Sequence, residues 1–281
     1  MHVTQPTISS GVSELETKLG VKLFNRGGRG VELTMEGRSL VNYAVQIQDL
    51  VEEASDLLSR GDGGGDEGFQ FGSIDAAVIY LLPEILRAYI ASHPDIALSV
   101  QVAPSRYLAD DLLMNRSEFA FITLPFEHAR LDTLSLYEDR VLLVVGSTHR
   151  FAGRRSVTLE DVAGEPLILF HDDSVSRRIV DEKFAEAGLS PTVVMAMRSP
   201  EAMRKLVEAG VGISFLPYLT VQDALKSGEL KEVPVKGVNF KREIGVAWRK
   251  GRYFGPAIED LMAAIVEAFE KTNDYHTLRG K

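Results

Sequence analysis

The residue pattern predicts an α/β protein in two unlike parts: a small helix-and-hairpin unit, then a two-lobed α/β domain. Three observations carry this expectation. Residues 4–60 show helical apolar spacing interrupted by one short hairpin with a glycine- and arginine-rich tip. Residues 61–68 hold five glycines, the composition of a flexible linker. From residue 69 onward, short apolar runs alternate with helical patterns, as in parallel sheets covered by helices. The boundaries that follow are 1–35, 36–60 for a long helix, 61–68 for a hinge, and 69–281 for the two lobes.

The first helix is expected to open at Thr4-Gln5-Pro6, with Thr4 as N-cap and Pro6 in the first turn, where its missing N–H is harmless. Ile8, Val12, Leu15 and Leu19 form its apolar face, and Gly20 ends it. Val21–Phe24 and Val31–Leu33 read as two short strands around Asn25-Arg26-Gly27-Gly28-Arg29-Gly30. Thr34 is a candidate N-cap for the next helix. Along that helix Leu40, Tyr43, Ile47, Leu50, Ala54 and Leu57 repeat at alternating spacings of three and four, a seam that suits pairing with a second copy.

In the second part, strands are expected at 69–74, 97–102, 119–123, 142–146, 167–170, 193–197, 212–216 and 243–248. Each is an apolar run of strand length. Helices are expected at 81–92, 105–115, 159–162, 176–187, 200–209 and 253–271. The start at 200 carries Ser199 and Pro200, with the proline at a typical first helical position.

Bulk properties narrow the function classes. No cysteine occurs, which excludes disulfides, thiolate metal sites and a cysteine nucleophile. No apolar run approaches the ~20 residues of a membrane span, and Met1–Pro6 lacks the basic start and apolar stretch of a secretory signal. The expected location is the cytoplasm. The formal net charge is -9, which argues against a broad nucleic-acid surface. Residues 1–35 differ: Lys18, Lys22, Arg26 and Arg29 outnumber Glu14, Glu16 and Glu32. Any contact with DNA is expected there.

The string Thr4-Gln5-Pro6-Thr7-Ile8-Ser9, followed by Leu15-Glu16, Leu19-Gly20, Leu23-Phe24, Arg26, Leu33-Thr34 and Gly37, resembles the signature of LysR-type transcriptional regulators. Downstream, Leu81-Leu82-Pro83, His93-Pro94-Asp95, Leu159-Glu160-Asp161, Gly188-Leu189-Ser190-Pro191, Leu206–Ile213 and Leu216-Pro217 match the same family. The resemblance implies a winged helix-turn-helix, partial here, and a dimerisation helix. It also implies an effector domain like a type 2 periplasmic binding protein. Family members carry a full helix and most of a second before the recognition helix. Residues 1–35 are therefore expected to fold poorly in isolation and to bind DNA weakly.

The resemblance implies double-stranded DNA, a small-molecule effector and further copies of the chain (homodimer or homotetramer) as partners, with no membrane and no cofactor. DNA contacts are expected from Thr4, Gln5, Pro6, Thr7, Ser9 and Ser10 at the start of the recognition helix, where side chains reach base edges. Arg26 and Arg29 on the hairpin tip are expected at phosphate or in the minor groove. Ser10-Gly11 stands where many members have Arg-Gln, which removes one guanine contact. Effector contacts are expected from Asp75, Ser105, Thr123, Ser176, Ser199 and Phe215. Asp75 departs from the Ser or Thr common at its position and favours a cationic, amphoteric or neutral polar ligand over a simple anion.

Enzyme readings have little support. The histidines (His2, His93, His128, His149, His171, His276) show no metal-ligand spacing, and His171-Asp172-Asp173 reads as a polar loop. Glu52-Glu53 and Asp110-Asp111 are adjacent and diverge by ~100° on a helix. A solute-binding receptor without DNA activity would share the two lobes, but has no use for the Thr4–Thr34 block. An enzyme on the same two-lobed fold leaves that block unexplained as well.

Overall fold

The computed structural model describes residues 5–27, 30–41, 43, 44, 47, 51 and 68–279, and the chain divides into two units, Met1–Gly64 and Gly65–Lys281. Thr4, Arg29, the glycine-rich stretch 61–67 and the seam positions Leu50, Ala54 and Leu57 lie outside the described residues.

In the first unit, α1 (Gln5–Leu19) ends in Gly20 at φ +68°, the left-handed turn expected there. The strands β1 (Phe24–Gly27) and β2 (Gly30–Leu33) pair antiparallel, with Phe24 opposite Leu33. The first strand thus starts at the far end of the expected 21–24 stretch. Glu16 explains the shift. Its buried carboxylate accepts the N–H groups of Leu23 at 2.8 Å and Phe24 at 3.3 Å, and the Lys22 ammonium at 2.7 Å. Those bonds hold residues 22–24 against α1 before the ladder begins.

Helix α2 covers residues 35–41, and positions 43, 44, 47 and 51 are also helical. Thr34 caps it as expected: its hydroxyl accepts the Gly37 N–H at 2.9 Å and donates to the Lys22 carbonyl at 2.7 Å. A Cβ on Gly37 would stand 2.2 Å from the Leu23 carbonyl oxygen, so only glycine allows this approach. The apolar faces are largely open. Ile8, Leu15 and Leu19 on α1, and Tyr43, Ile47 and Val51 on α2, are exposed.

The second unit contains a sheet with the order β4-β3-β5-β11-β6-β9-β7-β8, with β10 (Leu230–Glu232) added beside β6. In the first lobe β3 (Phe69–Ser73) runs parallel to β4 (Leu98–Val102) and β5 (Phe119–Leu124). Every residue of β5 is buried, and Phe71 stacks on Phe119 with centroids 5.1 Å apart. In the second lobe β7 (Leu167–Phe170) is parallel to β8 (Val193–Met197) and β9 (Ile213–Pro217).

Parallel pairing holds within each lobe, as expected, and two antiparallel strands join them. β6 (Leu131–Gly146) and β11 (Phe240–Arg249) are long, antiparallel to each other, and antiparallel to β9 and β5 respectively. They carry the chain from one lobe into the other. The first lobe's core holds Leu131, Leu136 and Ile244, while the second lobe's holds Val141 and Phe240. The polar stretch from Asp132 to Arg140 hides the first half of β6 from a hydrophobicity reading.

Helices cover both lobes. A short α3 (Asp75–Tyr80), not foreseen, precedes the expected helix at 81–92, which forms as α4 (Pro83–Ser92) and opens on Pro83, where a missing N–H is harmless. Next come α5 (Ser105–Leu113), α6 (Leu159–Ala163), α7 (Val175–Glu186), α8 (Pro200–Glu208) and α9 (Tyr218–Ser227), the last not foreseen. α6 carries a capping box between Thr158 and Asp161. α10 (Pro256–Arg279) returns to the first lobe and buries Ile258, Leu261, Ile265 and Phe269, a stripe worth about 1.5–3 kcal/mol per side chain.

Candidate functional site

A cavity of about 450 Å³ lies between the lobes of the second unit. Ile74–Ala76, Ala103–Arg106, Thr123 and Pro125–Glu127 form its first wall. Phe170, Asp172–Ser176, Arg178, Arg198 and Pro200 form the other, and Arg242 of β11 reaches it too. The first wall arises because β3, β4 and β5 end side by side, and α3 and α5 start immediately beyond them. This is where an open α/β sheet leaves a crevice.

Four of the six expected contact residues line it: Asp75, Ser105, Thr123 and Ser176. The Ser105 hydroxyl accepts the Thr123 N–H at 3.0 Å, which ties the start of α5 to the end of β5 and leaves the hydroxyl proton free to be donated. Ser176 is buried on α7 and accepts from Arg242 Nη1 at 3.4 Å. The remaining two residues have other work. Ser199 caps α8, accepting the Ala202 N–H at 3.3 Å, and its neighbours Arg198 and Pro200 are the ones that face the cavity. Phe215 is fully buried on β9, with its ring between those of Phe184 and Phe240 in the second lobe's core. Its expected place on the cavity wall is therefore corrected: the strand's alternation turns it inward.

The arginines were not foreseen. Arg242 stands directly opposite Asp139 in the β6–β11 register and bonds its carboxylate at 3.1 Å through Nε and 2.8 Å through Nη2. Both side chains are almost completely buried where the two strands cross between the lobes. Burial pushes the Asp139 carboxyl up, and the Arg242 guanidinium opposes that shift. A strand pattern could have found this residue. Phe240, Arg242 and Ile244 share one face by twofold alternation, so an arginine falls between two core side chains.

Arg198 bonds Asp173 at 2.7 Å and holds its carboxyl below the usual range. Arg178 donates to the Pro125 carbonyl at 3.3 Å, a contact from one lobe to the other. His171, Asp172 and Asp173 present ligand atoms within 4.8 Å of one another. The Arg198 guanidinium on Asp173 already supplies the positive charge there, consistent with a polar loop.

In the first unit, Thr7, Ser9 and Ser10 are exposed on the first turns of α1. Gln5 and Pro6 are helical and Arg26 lies in β1, but their side chains are outside the described residues. The helix-turn-helix family model for bacterial regulatory proteins of the lysR family matches residues 1–38, and the LysR substrate binding domain model matches residues 63–270. The chain belongs to the LysR family.

LysR relatives align along nearly its whole length. A probable RuBisCO transcriptional regulator of Trichormus variabilis is 28% identical over 278 residues, covering 96% of this chain and 82% of the relative. The HTH-type transcriptional regulator YybE of Bacillus subtilis is 26% identical over 275 residues, covering 96% and 92%. Solved structures share the fold. A variant of Corynebacterium glutamicum OxyR has a TM-score of 0.62 at 24% identity, over 99% of this chain and 88% of that one. The effector binding domain of QuiR in complex with shikimate has a TM-score of 0.66 at 24% identity, over 73% and 98%. The regulatory domain of Synechocystis CcmR in complex with 2-PG has a TM-score of 0.67 at 19% identity, again over 73% and 98%. This LysR protein is a DNA-binding transcriptional regulator with an effector-binding domain. Among the described residues no helix is long and apolar enough to cross a membrane.

Proposed function

We propose that the cavity between the lobes is the effector site, with Asp75, Ser105, Thr123 and Ser176 as contact residues. The observation that carries this reading is the convergence of hydroxyl-bearing residues from both lobes on one cavity of about 450 Å³, a volume suited to a small polar molecule. The complexes of QuiR with shikimate and CcmR with 2-PG support a ligand of that size in the same type of domain.

At the other end, α1 reads double-stranded DNA in the major groove through Thr4, Gln5, Pro6, Thr7, Ser9 and Ser10. Arg26 and Arg29 of the hairpin meet phosphate or the minor groove. The units act as 1–35 for DNA, 36–60 for pairing, 61–68 as hinge and 69–281 for sensing. The exposed seam residues Tyr43 and Ile47, with half-buried Leu40 before them, support pairing of two chains. A second exposed apolar strip, Val193, Val194 and Met195 on the edge strand β8, offers a further contact between copies. The protein works as a regulator, without catalysis, in the compartment that holds the DNA. Effector binding shifts the angle between lobes only by its differential affinity for the two arrangements.

Two measurements test this. Thermal shift on the full chain with a small-molecule library is expected to find ligands whose stabilisation is lost in Thr123→Val; ligands that act equally on that variant refute the site. Gel shifts on genomic fragments are expected to lose binding with Gln5→Ala and with Arg26→Ala; unchanged binding in both refutes the DNA-reading assignment.

A further inference from the structure

We propose that the effector is amphoteric: one small molecule bearing a cationic and an anionic group, the cation received by Asp75 and the anion by Arg106 with Thr123. The proposal rests on the cavity being the effector site, and it names the ligand's chemistry.

The wall carries four arginines and four carboxylates, and most are engaged within the protein. Arg178, Arg198 and Arg242 bond Pro125, Asp173 and Asp139, and Asp172 pairs with His171 at 2.7 Å. Three charged side chains remain without a partner among the described residues: Asp75, Arg106 and Glu127. Glu127 and Arg106 are both exposed, and of the two it is Arg106 that stands next to Ser105 at the start of α5. Asp75 is half-buried, so it gives up part of its hydration with no protein cation in return. A ligand ammonium restores that balance.

The anion's place is marked separately. Thr123 is 6% exposed and lines the cavity, and its hydroxyl has no hydrogen-bond partner among the described residues. The Ser105 hydroxyl beside it accepts the Thr123 N–H and retains a proton to donate. Arg106 follows on the first turn of α5, whose first turn lacks a side-chain cap. Together they offer two hydroxyl donors and a guanidinium to a carboxylate or similar acid.

Topology brings the two loci together. Asp75 starts α3 just past β3, Arg106 starts α5 just past β4, and Thr123 lies near the end of β5. These strands are neighbours and run parallel, so their ends lie ~4.8 Å apart per step. Asp75 and Arg106 form no ion pair with each other, which leaves both free for a molecule that spans them. A purely anionic ligand faces Asp75 uncompensated, and a purely cationic one faces Arg106.

The test uses the full chain and defined probes: 2-aminobutyrate, 4-aminobutyrate and 6-aminohexanoate against butyrate, hexanoate and butylamine. Calorimetric titration is expected to show at least one amino acid binding about tenfold or more tightly than its matched acid and amine. Asp75→Asn and Arg106→Gln are each expected to remove that advantage. Neither change strands a buried partner, so both variants are expected to melt like the wild type. Binding of the acids alone, lost in Thr123→Val but indifferent to Asp75→Asn, overturns the amphoteric ligand and leaves the cavity assignment standing. Binding that survives Thr123→Val overturns both. No amino acid in the series binding above its matched acid and amine also overturns the proposal.

Discussion

At the scale of single residues, two buried charges hold places that apolar side chains would usually take. Glu16 is one. Its carboxyl is lowered from 4.5 to about 2, first by the Lys22 ammonium and then by the Leu23 N–H. A carboxyl with a depressed folded pKa stabilises fully above its unfolded value and loses that contribution as pH falls through the folded one. The amide resonances of Leu23 and Phe24 are therefore expected to move only as pH drops from about 4.5 toward 2. Glu16→Gln is expected to shift both at neutral pH, and a midpoint near 4.5 would refute the bonding. Arg242 is the other. Removing it strands Asp139 in the interior, so Arg242→Met is expected to cost about 3–5 kcal/mol in denaturant unfolding, while Asp139→Leu with Arg242→Met together is expected to recover most of that loss. Equal losses in both variants would mean that the ion pair does not set the stability of the strand crossing.

At the scale of elements, caps and periodicity explain most of what the chain forms. Thr34 and Gly20 act where the pattern places them, because each works through backbone groups within four residues. The misses are elements whose cause lies outside their own window. α3 hides in six residues after a strand, and the polar first half of β6 is a strand only because β11 pairs with it. The cavity follows the same division. The hydroxyls of Ser105, Thr123 and Ser176 were expected from the family resemblance, and Ser105 and Thr123 also stand at a helix start and a strand end. The place of Phe215 was not legible, because whether it faces core or cavity depends on register against β6.

Two element-scale outcomes follow. Gly37→Ala is expected to push α2 off the hairpin and destabilise the first unit by about 1–3 kcal/mol, read as faster amide exchange at Leu23 and Thr34. Ile47→Asp is expected to lower the sedimentation mass toward one chain, since Ile47 is exposed on the seam; an unchanged mass would exclude α2 from the pairing face.

At the scale of the whole effector unit, two strands and a few side chains join the lobes. Tyr80 of α3 donates its phenol proton to Glu201 of α8 across the cleft, and burial together with that carboxylate pushes the phenol up, so it stays a donor. Tyr80→Phe is expected to leave global stability within about 1 kcal/mol, because Glu201 retains solvent. Amide exchange at the facing ends of α3 and α8 is expected to rise. No change there would mean the contact does not restrain the lobes.

The sequence by itself determined the helix-and-hairpin start, the α/β alternation and the family. All of these are written in short-range spacing, where backbone propensity and one-sided burial act within a turn or a strand. Only the tertiary structure decided that β6 and β11 carry the chain across both lobes and that Arg242 meets Asp139. It also decided which charges on the cavity wall are left unpaired. The strand crossing and the Arg242–Asp139 pair depend on residues 103 apart sharing one register, and local pattern holds no record of which partner each will find.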